Sequence, residues 1–157
     1  VPQQTHLRAA PAWSPDGTRL VFQMYEWGEL PQPSQASLIV MQADGSGKRA
    51  ITSTTTGFDM QPSWSPDGTT IAFSRYYAGG DADISLVPAN GGAVTRLPRA
   101  GGQTMPAWSP NGSWIAFVQG DIGRDNVYTM RPDGTYVRLQ TVDPQWGGGL
   151  SPSWIRR

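Results

Sequence analysis

Apolar residues fall along this chain in short bursts separated by turn formers, and the bursts return at a regular interval. Leu20-Val21-Phe22, Ile71-Ala72-Phe73 and Ile115-Ala116-Phe117 each follow a turn-forming tetrapeptide: Ser14-Pro15-Asp16-Gly17, Ser65-Pro66-Asp67-Gly68 and Ser109-Pro110-Asn111-Gly112. Pro presets φ at the first corner of such a turn and Gly accepts the positive φ at its exit. Each motif therefore predicts a strand ending at Trp13, Trp64 or Trp108 that folds back on a partner strand over 18–24, 69–75 or 113–119. A second set of bursts, Leu38 to Met41, Ile84 to Val87 and Val127 to Met130, leads into Asp44-Gly45, Asn90-Gly91 and Asp133-Gly134. Asp-Gly and Asn-Gly tolerate the φ > 0 positions of tight hairpins, so a fourth strand is expected after each: Arg49 to Thr52, Thr95 to Leu97, and Val137 to Gln140. No segment sustains a helical period.

The pattern thus reads as units of four antiparallel strands with two tight turns each. The tryptophans that close the first strands, Trp13, Trp64 and Trp108, are joined by a fourth in the truncated copy Pro152-Ser153-Trp154-Ile155, at spacings of 51, 44 and 46 residues. A four-stranded unit at this period is the signature of a β-propeller blade. The expected fold is all-β: about three blades in one segment spanning 1–157, with repeats at about 11–61, 62–105 and 106–151 and a closing strand at 152–157. A single such sheet cannot bury both faces, so the four anchor tryptophans are expected to pack between neighbouring blades.

Composition sharpens this without redirecting it. Of 157 residues, 19 are Gly and 14 Pro, a balance that suits many short strands. Twelve basic and twelve acidic residues cancel, so the basic field that nucleic acid binding needs is missing. With no cysteine there is neither a disulfide framework nor a thiolate metal site. No apolar run approaches a membrane-spanning length, and no direct membrane insertion is expected. Val1 opens without a charged and apolar leader, which suggests a trimmed product or an upstream address signal.

The string Pro-x-Trp-Ser-Pro-Asp-Gly, followed by Ile-Ala-Phe, then by Val-Tyr-x-Met and an Asp-Gly turn, resembles the TolB-type propeller repeat, and the resemblance runs from Pro11 to the end. It implies a protein-interaction platform of bacterial periplasmic or extracellular proteins, bound to a protein or peptide partner and carrying no cofactor. Related blades also serve as accessory domains of serine peptidases. Closed propellers have four to eight blades. About three blades therefore imply an incomplete ring, completed by further blades of the same parent chain or by a second copy.

Candidate chemistry concentrates where the repeat fails. Propeller topology sends the loops between second and third strands, and those leading to the next blade, to one rim, and the tight turns to the other. The irregular rim receives Tyr25, Trp27, Arg75, Tyr76, Tyr77, Arg124 and Trp146, together with Phe58 to Met60, Asp81 and Asp83, and the first blade carries a longer insertion between Phe22 and Leu38. Exposed aromatics with Arg and Met have the composition of an interface hot spot. The bland alternative is that these aromatics fold back as plugs on the blade tops, and sugar stacking is a further one. Catalytic readings are weak. His6 is the only histidine and lies near a terminus, no G-x-S-x-G elbow occurs, and Ser14, Ser65 and Ser109 belong to turns. Neither Asp44-Gly45-Ser46-Gly47 nor Asp81-Ala82-Asp83 completes a calcium loop, so no metal is expected. The separation of possible carboxylate pairs among Glu26, Glu29, Asp81 and Asp121 cannot be read from sequence.

Overall fold

The structure, a computed structural model, describes residues 8–27, 33–54, 57–98, 102–121, 124–141 and 151–154, the side chains of Arg8, Trp27, Pro33, Asp121 and Arg124 excepted. Among these residues twelve strands make three consecutive four-stranded blades. The first contains β1 (Arg8–Trp13), β2 (Arg19–Trp27), β3 (Pro33–Gln42) and β4 (Arg49–Ala50). The second contains β5 (Gly57–Trp64), β6 (Thr70–Tyr77), β7 (Ala82–Pro88) and β8 (Thr95–Arg96), and the third β9 (Gln103–Trp108), β10 (Ile115–Asp121), β11 (Arg124–Met130) and β12 (Arg138–Leu139). Within each blade the pairing is antiparallel and sequential.

The turns form as their chemistry requires. Asp16 Oδ1 accepts from Ser14 Oγ at 2.6 Å and from Thr18 N at 3.0 Å, while Gly17 sits at φ 70° and donates its N–H to Ser14 O. Asp67 and Asn111 repeat the arrangement in the next two blades.

Two features are not foreseen by the hairpin pattern. First, β3 also pairs with β5 of the next blade, in parallel at Gln35↔Gly57 and Ala36↔Phe58, so the first two blades share one sheet. The two-residue β4 covers only Ile39 and Val40, which leaves the far end of the long β3 free to accept this bond. Second, every first strand carries a bulge. There the residue before the proline adopts positive φ: Ala10 at 48°, Gln61 at 55° and Met105 at 56°. This left-handed conformation costs a non-glycine residue about 1–2 kcal/mol and persists only where neighbours hold it. The preceding blade does so: Gln23 Oε1 accepts from Gln61 N at 3.0 Å, and Ser74 Oγ accepts from Met105 N at 2.9 Å.

The core lies between blades. Val21, Leu38 and Val40 meet Trp64, Ile71, Phe73 and Val87 across the first interface, and Ala72 and Ile84 meet Ile115, Phe117 and Met130 across the second. Alternation along each strand thus buries both faces of the middle blade, each face against a different neighbour. Trp64 is 7% exposed and donates its indole N–H to Ala12 O at 3.0 Å. Trp13 is 58% exposed and Trp154 37% exposed. The expectation that all four anchors are interblade core therefore fails at the ends: among the described residues no blade lies ahead of Trp13 and none follows Trp154.

Candidate functional site

Hairpin topology places the ends of β2, β6 and β10 and the starts of β3, β7 and β11 at the rim opposite the Ser-Pro-Asp-Gly turns. Several of the aromatic and basic residues expected there come together over β5. Tyr25, on β2, accepts from Gln23 Nε2 at 2.8 Å and points its hydroxyl at Met60 Sδ at 3.3 Å, with its ring 6.5 Å from that of Phe58. Tyr76, on β6, is half-buried. Desolvation raises its hydroxyl pKa, the polar side chains of Gln61 and Thr104 oppose the rise, and the nearby Tyr25 adds to it. A patch built from three blades results, with Tyr25 from the first, Met60, Gln61 and Tyr76 from the second and Thr104 from the third.

Arg75, the residue before Tyr76 on β6, points to the other face of the sheet, its guanidinium 5.4 Å from the Phe73 ring. Its Nε and Nη2 clamp the buried Asp59 carboxylate at 2.7 and 2.8 Å across the register pair Asp59↔Arg75, and this bond holds the guanidinium above its ordinary pKa. Tyr77 lies farther along β6, its ring 5.4 Å from the Arg96 guanidinium, which in turn pairs with buried Asp83 at 2.6 Å. Asp83, at the start of β7 on the expected rim and level with Arg75, is buried there as the anionic anchor of that ion pair. Trp27 ends β2 and Arg124 opens β11 as backbone positions, their side chains outside the described residues. Trp146 and His6 lie wholly outside them. Among the described residues no three His, Cys, Asp or Glu side chains gather into a possible metal site.

A second concavity was not singled out from the sequence. All four Pro-x-Trp copies converge on one opening of about 410 Å³, walled by Trp13, Trp64, Trp108 and Trp154 with the prolines around them. A narrower space of about 270 Å³ follows, lined by the positive-φ residues Ala10, Gln61 and Met105 and by Pro11, Pro62, Pro106 and Pro152. The repeat itself was the signal: an innermost strand repeated radially brings identical positions to one axis. Ser63, Ser109 and Ser153 share the lining with the rings, and among the described residues it offers no nucleophile with a base beside it.

The TolB beta propeller domain profile matches residues 1–155. Among solved structures, the putative TolB from Agrobacterium tumefaciens is similar at 23% identity and a TM-score of 0.63, over 90% of this chain and 64% of that one. TolB from Acinetobacter baumannii is similar at 22% identity and a TM-score of 0.68, over 88% of this chain and 33% of that one. The β-propeller domain of the trilobed protease from Pyrococcus furiosus, described as having an open velcro topology, aligns at 12% identity and a TM-score of 0.64, over 86% of this chain and 43% of that one. At these identities the likeness is one of fold, and the chain spans less than two thirds of the length of each of the three. Repeat, blade geometry and profile agree: the chain belongs to the TolB beta propeller domain family.

Proposed function

We propose that the chain is a non-catalytic protein-interaction module that acts outside the cytoplasm in a bacterium. It presents its irregular rim to a protein or peptide partner, within an assembly that further blades of a parent chain or a second copy complete. The observation that carries this reading is the patch that Tyr25, Met60, Gln61, Tyr76 and Thr104 form from three blades, with Arg75 held by Asp59 on the other face of the same strands. Aromatic and guanidinium groups already held in place lose little conformational freedom on binding, so more of their contact energy reaches the affinity. Tyr77, Trp27, Arg124 and Trp146 extend the proposed surface along the same rim.

The test is capture of partners from an extracytoplasmic extract by the immobilised chain. Tyr25→Ala and Tyr76→Ala each lower recovery of the captured partner at least about tenfold, while Thr69→Ala, in the exposed turn at the other rim of the middle blade, leaves it unchanged. Equal recovery by all three variants removes the rim from the binding surface, and retention on a glycan array in place of protein capture would point to sugar stacking. A second reading, an accessory propeller beside a serine peptidase domain, draws on the likeness to the trilobed protease propeller. It requires the captured partner, or the parent chain, to contain a hydrolase.

A further inference from the structure

Contacts that join one blade to the next are left half-made at the two ends of the arc, and the two sets of halves are complementary. At the first interface a Cβ on Gly68 would meet Pro15 at 3.8 Å, and at the second a Cβ on Gly112 would meet Pro66 at 3.2 Å. In each case a proline of the preceding blade covers the turn glycine of the next. Gly17, the same turn position in the first blade, has nothing within 4 Å. The second turn behaves alike. Gly91 is covered by Ile51 and Gly134 by Pro98, whereas Gly45 has nothing within 4 Å.

The sheet face of the first blade carries the same imbalance. Leu20, Phe22 and Met41 stand at the positions of Ile71, Phe73 and Val87, which the first blade covers, and of Ile115, Phe117 and Met130, which the second covers. In the first blade these residues line an open depression of about 250 Å³, with Leu20 and Met41 half-buried and Phe22 already buried. Charge completes the match. Arg49 of the first blade reaches the second blade's turn, donating to Asn90 O at 2.7 Å, Asn90 Oδ1 at 3.0 Å and Ala89 O at 3.2 Å. The third blade's residue at the Arg49 position is Arg138, whose guanidinium stands 5.9 Å from the Trp114 ring centroid, and the first blade's residue at the Asn90 position is Asp44. A cation at one end therefore faces an anion at the other.

We propose that a second copy of this chain docks head to tail, the first blade of one copy on the third blade of the other, and that residues 151–154 cap this junction in the single chain. Trp154 donates its indole N–H to Ala107 O at 2.9 Å, the bond that Trp64 makes to Ala12 O between the first two blades. Pro11-Ala12-Trp13 of an incoming copy has the same spacing as Pro152-Ser153-Trp154. Its exposed indole, without an acceptor among the described residues, takes the same carbonyl while its blade supplies a whole sheet face where the cap supplies one short segment. A head-to-tail interface closes only if the rotation returns to the start. Two copies supply six blades, within the four to eight of closed propellers, and three would exceed it. The proposal rests on reading the chain as a module completed by further blades, and it names the source of those blades. Its readout is the mass of the chain alone, so its failure leaves partner capture by Tyr25 and Tyr76 untouched.

Light scattering on the full 157-residue chain tests it. Trp154→Ala shifts the mass from 17.0 kDa toward twice that value with rising concentration. Trp13→Ala in the same background returns it to one chain. Arg138→Glu weakens the association at least about tenfold by opposing Asp44, and adding Asp44→Arg to the same chain restores it. Circular dichroism confirms that each variant is folded, and if Trp154→Ala unfolds the chain, the Trp13 and charge-swap series is read on the wild-type protein at raised concentration. A single-chain mass throughout overturns the proposal, as does association that persists with Trp13→Ala or that the charge swap does not rescue.

Discussion

Trp64 and Trp13 occupy one position in consecutive repeats and have opposite environments, so their truncation separates residue identity from context. Trp64→Ala removes a buried indole and its bond to Ala12 O, and we expect it to cost about 3–5 kcal/mol in urea melts. Trp13→Ala, at an exposed site, stays within about 0.5 kcal/mol. The turn carboxylates make a second residue-scale prediction. Hydrogen bonds from the Ser14 hydroxyl and from Thr18 lower Asp16 from its ordinary 3.8 to about 2, and Asp67 and Asp133 shift downward for the same kind of reason. A carboxylate whose folded-state pKa is depressed stabilises the fold fully above its unfolded value and loses that contribution as pH falls through the folded one. The melting temperature should therefore drop as pH falls from about 4 to about 2. Asn111 already makes the turn without a charge, its Oδ1 accepting from Ser109 Oγ and Ser113 N. Combined Asp16→Asn, Asp67→Asn and Asp133→Asn substitutions should keep the turns and flatten this acid limb in melts recorded against pH.

At the scale of the element, the bulged first strand is the unusual part. A strained residue before proline recurs in all three blades, and in the second and third its amide is held by a side chain from the strand next door. Ser74 is central to this arrangement, accepting from Met105 N and donating to Gln61 Oε1 at 2.7 Å. Ser74→Ala deprives a part-buried amide of its main acceptor and should cost about 1–3 kcal/mol, more than its small volume change would suggest. Denaturant midpoints measured at unchanged slope test this. The turns and the order of the strands were legible in the sequence because Pro, Gly, Asp and Asn act locally on φ. The bulge was not, since residues as unlike as Ala10, Gln61 and Met105 adopt it and the bonds that hold it come from a strand about 30 to 40 residues away.

For the whole molecule, blade order sets local stability. The middle blade is covered on both faces, with Ile71 and Phe73 against the first blade and Ala72 and Ile84 against the third. Hydrogen exchange should be slowest along β6 and β7 and faster along β11 and β12, because protection tracks the number of buried contacts that must open together. Equal protection in all three blades would mean that the arc unfolds as one unit. The candidate rim was legible only as a set of aromatic and charged residues on one side. Its division into a patch (Tyr25 and Tyr76 over Met60 and Gln61) and two ion pairs (Arg75 with Asp59, Arg96 with Asp83) depends on cross-strand register, which no local signal carries.

By itself the sequence determined the all-β class, the blade as the unit, the tight turns and the family, because each follows from residue types acting over a few positions and recurring at one period. Only the tertiary structure decided which copy of a repeated residue is buried. Trp13, Trp64, Trp108 and Trp154 are identical in kind, and their fates differ because burial here comes from the neighbouring blade and is set by position in the arc. The same dependence gathers the four Pro-x-Trp copies at one axial opening and leaves matched, unfilled contacts at the two ends.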